Sequence, residues 1–598
     1  MDHTELPGFR FLEEIKRRNV GRVAILYLVA CWVILEPVHV IFHMLEIPGW
    51  ANRLVVVLMA LGFPPVVIFA WVYEITPAGF KPTSEVPHGQ SIRRLTGRRL
   101  DFAIIGLLSC ALMYLAADRF IFSRSRVTAV TEVKPQSSPA VAAIASSGKS
   151  IAVLPFIDLS EKKDQEYFAD GMAAEVIDLL STIPGLKVIG RTSSFQFKTK
   201  TDDLRTIGAK LGAAYLVDGT VRKSGDHLRV TTQLIDARDA SQRWSSTYDR
   251  KSSDVLEVQD SIAVSLARAL QLTVTNDFGS RASAARAEAY DVYLRGLHAL
   301  DQASNEELEK ATAEFQQALQ LDPTFAPAAL GLARAYQYRG EIGYLVPARV
   351  AFGGARDAAN LAIRLDPKLG AAHAVLASVH MHYEWDWAAA DQEVKEALRL
   401  GGRVEAMEIA GQLAATRGKW NEAIQFFQTG LAADPLNAAL YDLLGWSVQL
   451  RSGRFADAES SMRRALAISP NFGSGHWFLG VCLLFQHRLD EALATMEQET
   501  PDDGQFEGTA VVYYAMGKKA QSDAALKQAI ERNTDDWPSG IARVYAFRGE
   551  RDEAMKWLER AYSVRDADLF AIKDNPLMKN LEDDPRYNAL LRKMNLSQ

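Results

Sequence analysis

Residues 150–160 read SIAVLPFIDLS, residues 164–198 read DQEYFADGMAAEVIDLLSTIPGLKVIGRTSSFQFK, and residues 215–237 read YLVDGTVRKSGDHLRVTTQLIDA. Ile151 to Phe156 is short, apolar and β-favouring, as a buried strand requires. Phe168, Met172, Val176 and Leu180 recur every four residues and share one face of a helix. Leu186 to Ile189 predicts a second strand. Asp202 is placed to cap a second helix with Leu204, Ile207 and Leu211 as its inner stripe. After Gly212 the pattern alternates. Tyr215 to Arg222, a turn at Ser224-Gly225-Asp226, and Leu228, Val230, Thr232 and Leu234 on one face predict a hairpin. Trp244 to Tyr248 offers one more strand, and Val255, Ile262 and Leu266 mark a closing helix. The order β-α-β-α-β-β-β-α describes one α/β unit with helices covering a mixed sheet.

The words IAVLPF-DLS, DQEYFADGM, PGLKVI-RTSSF and DGTVRKSG resemble the TolB amino-terminal-like domain of bacterial envelope proteins, in the version set between a membrane anchor and tetratricopeptide repeats. The resemblance covers the whole stretch, 150–275. It implies a non-catalytic, partner-binding module, since that family brings no active site to carry over.

Upstream lie three hydrophobic runs at about 23–43, 54–73 and 102–117, close to the ~20 residues that span a bilayer. No small-residue cleavage site follows the first, so it reads as a retained helix. Trp50, Trp71 and Tyr73 sit at run ends, where aromatic belts belong. Arg10, Lys16, Arg17, Arg18 and Arg22 precede the first run, only Arg53 lies between the first two, and Lys81, Arg93, Arg94, Arg98 and Arg99 lie between the second and third. That asymmetry predicts a cytoplasmic N-terminus and a periplasmic chain after the third run, although Arg119, Arg124 and Arg126 work against it. Residues 1–122 are thus expected to be an anchor in a bacterial inner membrane. Residues 123–149, rich in Ser, Ala and Val, read as a flexible linker.

Downstream, residues 284–566 repeat at ~34 residues, the tetratricopeptide period, which predicts seven to eight helix pairs. The segment ends LQLDP, IRLDP, LRLGG, LAADP and LAISP show the period. Gly411, Gly418, Ala423, Phe427 and Gly430 hold the small and aromatic packing positions of one unit. Ala542, Tyr545, Gly549, Ala554 and Ala561 hold them in another. Such units bury their faces only by stacking. Two departures stand out. Roughly ten extra residues fall between Gly340 and Ala355 relative to the repeat length. Trp446 occupies a small-residue position unless the register slips to Gly445. Residues 567–598 are expected to form a C-terminal helical cap. The fold class expected overall is multidomain: transmembrane helices, a small α/β domain, then an all-α solenoid.

Composition limits the function. Hydrophobic residues make up 48% and charged residues 23% of the 598 residues, ordinary values for folded protein. The net charge of -6 argues against a nucleic-acid partner, which calls for a basic face. Cys31, Cys110 and Cys482 form no disulfide framework and have no metal spacing.

Candidate chemistry is sparse. Glu36, His39 and His43 can share one face of the first run and make a weak metal, haem or proton site, though they sit near its end, where polar groups reach the interface. Asp164, Glu166, Asp170 and Glu175 surround a helix start. Complementing the helix dipole accounts for them more simply than paired-carboxylate catalysis. In HMHYEWDW (380–387), Trp385 and Trp387 are expected to pack at a turn, while His382 and Tyr383 face an inner groove. No nucleophile elbow, zincin, Walker or dinucleotide-binding motif is present, so no enzyme activity, cofactor or catalytic residue is expected.

The leading expectation is an extracytoplasmic scaffold that binds a protein or peptide in the repeat groove through Arg334, Tyr338, His382, Tyr383, Trp477, Phe485 and Tyr514. The alternative is a sensory or regulatory membrane subunit that signals to a cytoplasmic cyclase or transcriptional regulator. In the resembling family, anchor, TolB-like and repeat segments are joined to such output domains. With about twenty residues before the first run, the chain itself is expected to carry no such domain and to act with a separate one. A hydrolase of envelope polymers is disfavoured by the missing motifs.

Overall fold

The computed structural model describes residues 149–596 apart from 199–201, 273–286, 303, 343–345, 402, 501–503 and 534–536, together with residues 27, 55, 59, 63, 73–76 and 79–82. The chain divides into two compact units, Met1–Ala143 and Ile144–Gln598.

In the first unit, strands β1 (Tyr73–Thr76) and β2 (Gly79–Pro82) form an antiparallel hairpin in which Tyr73 faces Pro82 and Thr76 faces Gly79. Tyr73 therefore opens a strand rather than closing a helix, as the β-favouring run Tyr-Glu-Ile-Thr allows. The Tyr27 hydroxyl donates to the Met59 carbonyl over 2.7 Å, and the Tyr27 and Phe63 ring centroids are 5.7 Å apart. Among the described residues no helix is long and apolar enough to cross a membrane. Nearly all of the first two hydrophobic runs, the whole of the third, and Glu36, His39 and His43 lie outside the described residues.

The second unit begins with the α/β domain. Its elements are β3 (Ser150–Val153), β4 (Ile157–Asp158), α1 (Glu166–Ser181), β5 (Lys187–Val188), α2 (Arg191–Phe195), α3 (Leu204–Leu211), β6 (Tyr215–Ser224), β7 (His227–Asp236), β8 (Ser241–Lys251) and α4 (Val255–Ala269). The sheet order is β5-β3-β6-β7-β8, with β4 also paired to β6. Pairs β3/β5, β3/β6 and β4/β6 are parallel, and β6/β7/β8 is an antiparallel meander. Alternation sorts the side chains onto two faces. Ile151, Val153, Val217, Val230 and Leu234 meet α1 and α4, whereas Ala152, Leu154, Leu216 and Ile235 meet α3.

Three local expectations change. The first strand divides at Leu154-Pro155-Phe156 into β3 and β4, since Pro155 has no amide to donate to a ladder. The cap of α3 is Asp203, whose Oδ1 accepts from the amides of Arg205 and Thr206, while Asp202 pairs with Lys210 at 2.8 Å. A short helix, α2, follows β5 and was not expected.

Among the described residues the repeat region forms eight helix pairs. They are α5 (Ala287–Gln302) and α6 (Asn305–Leu321), α7 (Ala326–Ile342) and α8 (Ala348–Leu365), α9 (Gly370–Val379) and α10 (Trp387–Arg399), α11 (Arg403–Thr416) and α12 (Trp420–Ala433), α13 (Ala438–Leu443) and α14 (Phe455–Ile468), α15 (Gly475–Phe485) and α16 (Leu489–Met496), α17 (Gln505–Ala515) and α18 (Lys519–Asn533), and α19 (Pro538–Phe547) and α20 (Arg551–Val564). Small residues let the helices of a pair approach. A Cβ on Gly411 would sit 2.5 Å from the Phe427 ring. The extra residues after Gly340 fall at the end of α7 and the start of α8, which are 17 and 18 residues long. The register does slip at Trp446. Gly445 makes the close approach, to the Met462 methyl, and a π-helical turn over Leu444–Leu450 absorbs the additional residue. A second π turn spans His380–Glu384.

The α/β domain is held to the repeats at two places. At the start of the array, Tyr293 donates to Glu175 (2.8 Å), Tyr167 to Asp291 (3.0 Å) and Lys223 to Asp291 (2.6 Å). Far along the array, at the α12–α13 turn, the Gly190 amide donates to the Ala433 carbonyl (2.9 Å), the Ser193 amide to Asp434 Oδ1 (2.8 Å), and the Leu436 amide to Ser193 Oγ (2.7 Å). The solenoid thus curves far enough for its middle to return to the domain that precedes it.

Candidate partner-binding groove

The first helices of successive pairs touch one another and form the inner wall of the array, as the repeat pattern requires. That inner space is already occupied. After α20 the chain turns at Arg565, whose φ of 60° puts it in the left-handed region, and enters the groove. There it forms two 3₁₀ turns, Ala567–Ala571 and Pro576–Leu581, and a last helix, α21 (Pro585–Lys593). The expected helical cap is thus 3₁₀-helical where it meets the groove and α-helical at its end, with Asp566 and Asn575 side chains capping the two 3₁₀ turns.

Contacts along this segment are dense. The Arg565 guanidinium lies 4.0 Å from the Trp385 ring centroid and donates to the Tyr383 carbonyl at 3.1 Å. Asp566 accepts from the Ser539 amide at 2.9 Å. Asp568 Oδ2 accepts from Trp537 Nε1 at 2.9 Å and from Arg543 Nη2 at 3.0 Å. Phe570 packs edge-on against His382 (4.7 Å between centroids) and Trp446 (5.8 Å). Arg451 donates twice to the Lys573 carbonyl, at 3.1 and 2.9 Å. Leu569, Ile572 and Leu581 have no exposed surface.

Against this background the expected partner-binding residues separate. Trp477 is only 2% exposed and is core, wedged edge-on to Phe478 and Trp537 with Arg543 over its ring. Phe485 stacks on Phe455 at 5.1 Å, and the Tyr514 hydroxyl donates to the Arg548 carbonyl at 3.1 Å. Both join neighbouring repeats instead of facing a ligand. Tyr383 stacks on Phe352 at 5.5 Å. His382 is buried, bonded to Ser378 and covered by Phe570. His382 and Tyr383 thus meet the filling segment, through Phe570 and Arg565, whereas Trp477, Phe485 and Tyr514 pack within and between repeats.

Arg334 and Tyr338 differ. Tyr338 keeps 40% of its surface exposed, and Arg334 pairs with Glu405 across the groove. Glu341 and Glu408 stand close by. Burial, then the charges of Glu341 and Glu405, push the Glu408 carboxyl from its ordinary 4.5 up to about 8. Glu341 also accepts from Ser378 Oγ at 2.7 Å. This wall is predominantly acidic.

Of the acidic residues around α1, Asp170 is 3% exposed and ion-paired with Lys198 at 2.7 Å, and Glu166 pairs with the same lysine at 2.5 Å. Burial alone would raise the Asp170 pKa, but hydrogen bonds from His298 and Lys198 outweigh it and hold the carboxyl below its usual value. With Glu175 bonded to Tyr293, these carboxylates tie the domain together. Trp385 does pack at its turn, 5.0 Å from the Tyr562 ring. Among the described residues no group of three His, Cys, Asp or Glu could hold a metal ion.

Sequence reasoning missed Arg543, Trp537, Asp568 and Phe570. The signal was the word DADLFA at 566–571, an acidic-aromatic stretch directly after the last repeat.

Comparison with known proteins places two segments. Residues 147–265 match the family described as HilA/YgeH-like transcriptional regulator, second domain, and residues 449–507 match a tetratricopeptide repeat family. A segment of 182 residues is 36% identical to "Putative adenylate cyclase 3" of Rhizobium meliloti (strain 1021), covering 30% of this chain and 31% of the cyclase. The chain thus spans about a third of that relative's length. Among solved structures, the human IFIT1 dimer with m7Gppp-AAAA is 15% identical, with 52% of this chain and 78% of that one covered at a TM-score of 0.36. Pseudomonas aeruginosa pilF is 20% identical, with 34% and 92% covered at a TM-score of 0.27. The chain is a small mixed α/β domain like that of HilA/YgeH-type regulators, followed by a large tetratricopeptide repeat region, with partial homology to a putative adenylate cyclase.

Proposed function

We propose that this chain is a regulatory, protein-binding subunit that signals to a cyclase or a transcriptional regulator. The observation that carries this reading is the α/β segment, which matches a transcriptional-regulator domain in a chain that also shares 36% identity over 182 residues with a putative adenylate cyclase. Repeats of this kind supply protein contacts. The chain acts by binding rather than by catalysis, and its α/β domain resembles the TolB amino-terminal-like domain in the stretches DQEYFADGM and DGTVRKSG. In this reading residues 1–122 anchor it in a bacterial inner membrane through three helices, with the N-terminus cytoplasmic and the α/β and repeat domains periplasmic.

Two experiments test it. Affinity purification from native membranes, with quantification of co-purifying proteins, should enrich a cyclase or a DNA-binding regulator. Recovery of envelope assembly factors alone would instead favour a scaffold. Alkaline-phosphatase fusions at Gly89 and Ser147 should be inactive and active respectively, and an inactive fusion at Ser147 would overturn the topology.

A further inference from the structure

The segment that fills the groove is bound there as a peptide ligand would be. Its entry is pinned by Arg565 against Trp385, its acidic group by Arg543 and Trp537, and its aromatic group by His382 and Trp446. Its partners come from helices spread over most of the array, so a short run built around one 3₁₀ turn reads the curved inner wall. A main-chain carbonyl takes part as well, since Arg451 donates to Lys573 O.

The fit leaves donors unused. Arg543 is 2% exposed, and only its Nη2 reaches Asp568. Its Nε and Nη1, and the Nε1 of Trp477 beneath it, are buried and without a hydrogen-bond partner among the described residues. Each such group bears the desolvation cost of burial with no hydrogen bond to offset it. A guanidinium pairs best with a carboxylate through two parallel bonds, and Asp568 supplies one. The acceptor side is therefore under-filled while the apolar side, at Leu569 and Phe570, is complete.

We propose that the groove is a binding site for a peptide carrying an acidic residue followed by an aliphatic and an aromatic residue, and that residues 566–571, DADLFA, are its built-in competitor. The partner's carboxylate takes the place of Asp568 on Arg543, and its aromatic ring takes the place of Phe570 between His382 and Trp446. This deepens the protein-binding reading by naming what the groove recognises. A tethered segment competes at an effective concentration on the order of millimolar, so the intact chain holds the groove closed to weak ligands.

The test uses the full chain and a labelled synthetic peptide spanning residues 564–575, with no cyclase or regulator present. Its outcome therefore stands apart from that of the co-purification. Asp568→Asn with Phe570→Ala weakens the built-in segment without altering the wall. The peptide should bind this variant at least roughly tenfold more tightly than the wild type, and a peptide carrying the same two changes should bind neither. A variant that keeps its native melting transition yet ignores the peptide overturns the proposal. So does equal binding of both peptides. A dimer that exchanges the segment between copies, and that the peptide dissolves, would assign the groove to a second copy and overturn the choice of a separate partner. Should the double variant fail to fold, hydrogen exchange on Asp568→Asn alone decides. Faster exchange confined to 566–581 supports a displaceable segment, and exchange unchanged there or raised uniformly contradicts it.

Discussion

The amide of Gly190 donates to the carbonyl of Ala433 over 2.9 Å, closing the α/β domain onto the middle of the repeat array. Glycine is required at this contact, because a Cβ there would meet Asp434 Cγ at 2.5 Å. The adjoining bonds from Ser193 and to Ser193 make the contact a small, directional clasp.

Gly190→Val should open that clasp. Overpacking at a tight contact costs about 1–3 kcal/mol, and Ser193→Ala, which removes the acceptor of the half-buried Leu436 amide, about 0.5–1.5 kcal/mol. Urea unfolding measures both. Because the two residues share one contact, the double variant should cost less than the sum of the single ones.

Trp477→Ala should be severely destabilising. The side chain is 2% exposed and lies among Phe478, Trp537 and Arg543. Truncating a buried Trp costs about 3–5 kcal/mol. A thermal melt that leaves this variant at the wild-type midpoint would return Trp477 to the ligand-facing set.

These cases show what the sequence made legible. Alternation at Leu228, Val230, Thr232 and Leu234 placed the hairpin, because side-chain direction along a strand is a local property. The four-residue spacing of Phe168, Met172, Val176 and Leu180 placed α1 for the same reason. Repeat period and small residues located the helix pairs, and the slip at Trp446 was readable from Gly445 alone. The fate of the inner face was not legible. Whether Trp477 meets a ligand or a neighbour depends on how far the solenoid curves and on what fills it. Phe570 reaches His382, nearly two hundred residues away, a contact no local pattern announces. The Asp203 cap was missed by one residue because two adjacent aspartates offer the same chemistry.

Glu408 should make stability fall as pH rises. Its folded pKa, about 8, lies above the ordinary 4.5, so between these values the folded state holds a proton that the unfolded state has lost. Its contribution is full below the unfolded pKa and is lost as pH rises through the folded one. Glu408→Gln cannot titrate, so the wild type should lose stability relative to it between about pH 5 and about pH 8. Melting midpoints of both proteins across that range measure the difference. A constant difference would place Glu408 in ordinary solvent.

The regulatory reading is tested most directly by its output. In cells with and without the chain, at matched growth, intracellular cyclic AMP and genome-wide transcript levels are measured together. The account predicts that loss of the chain shifts cyclic AMP or a discrete regulon, and that the wild-type chain restores it while Gly190→Val restores it less. Cyclic AMP and transcripts both unchanged by loss of a chain that is normally abundant would contradict the regulatory role.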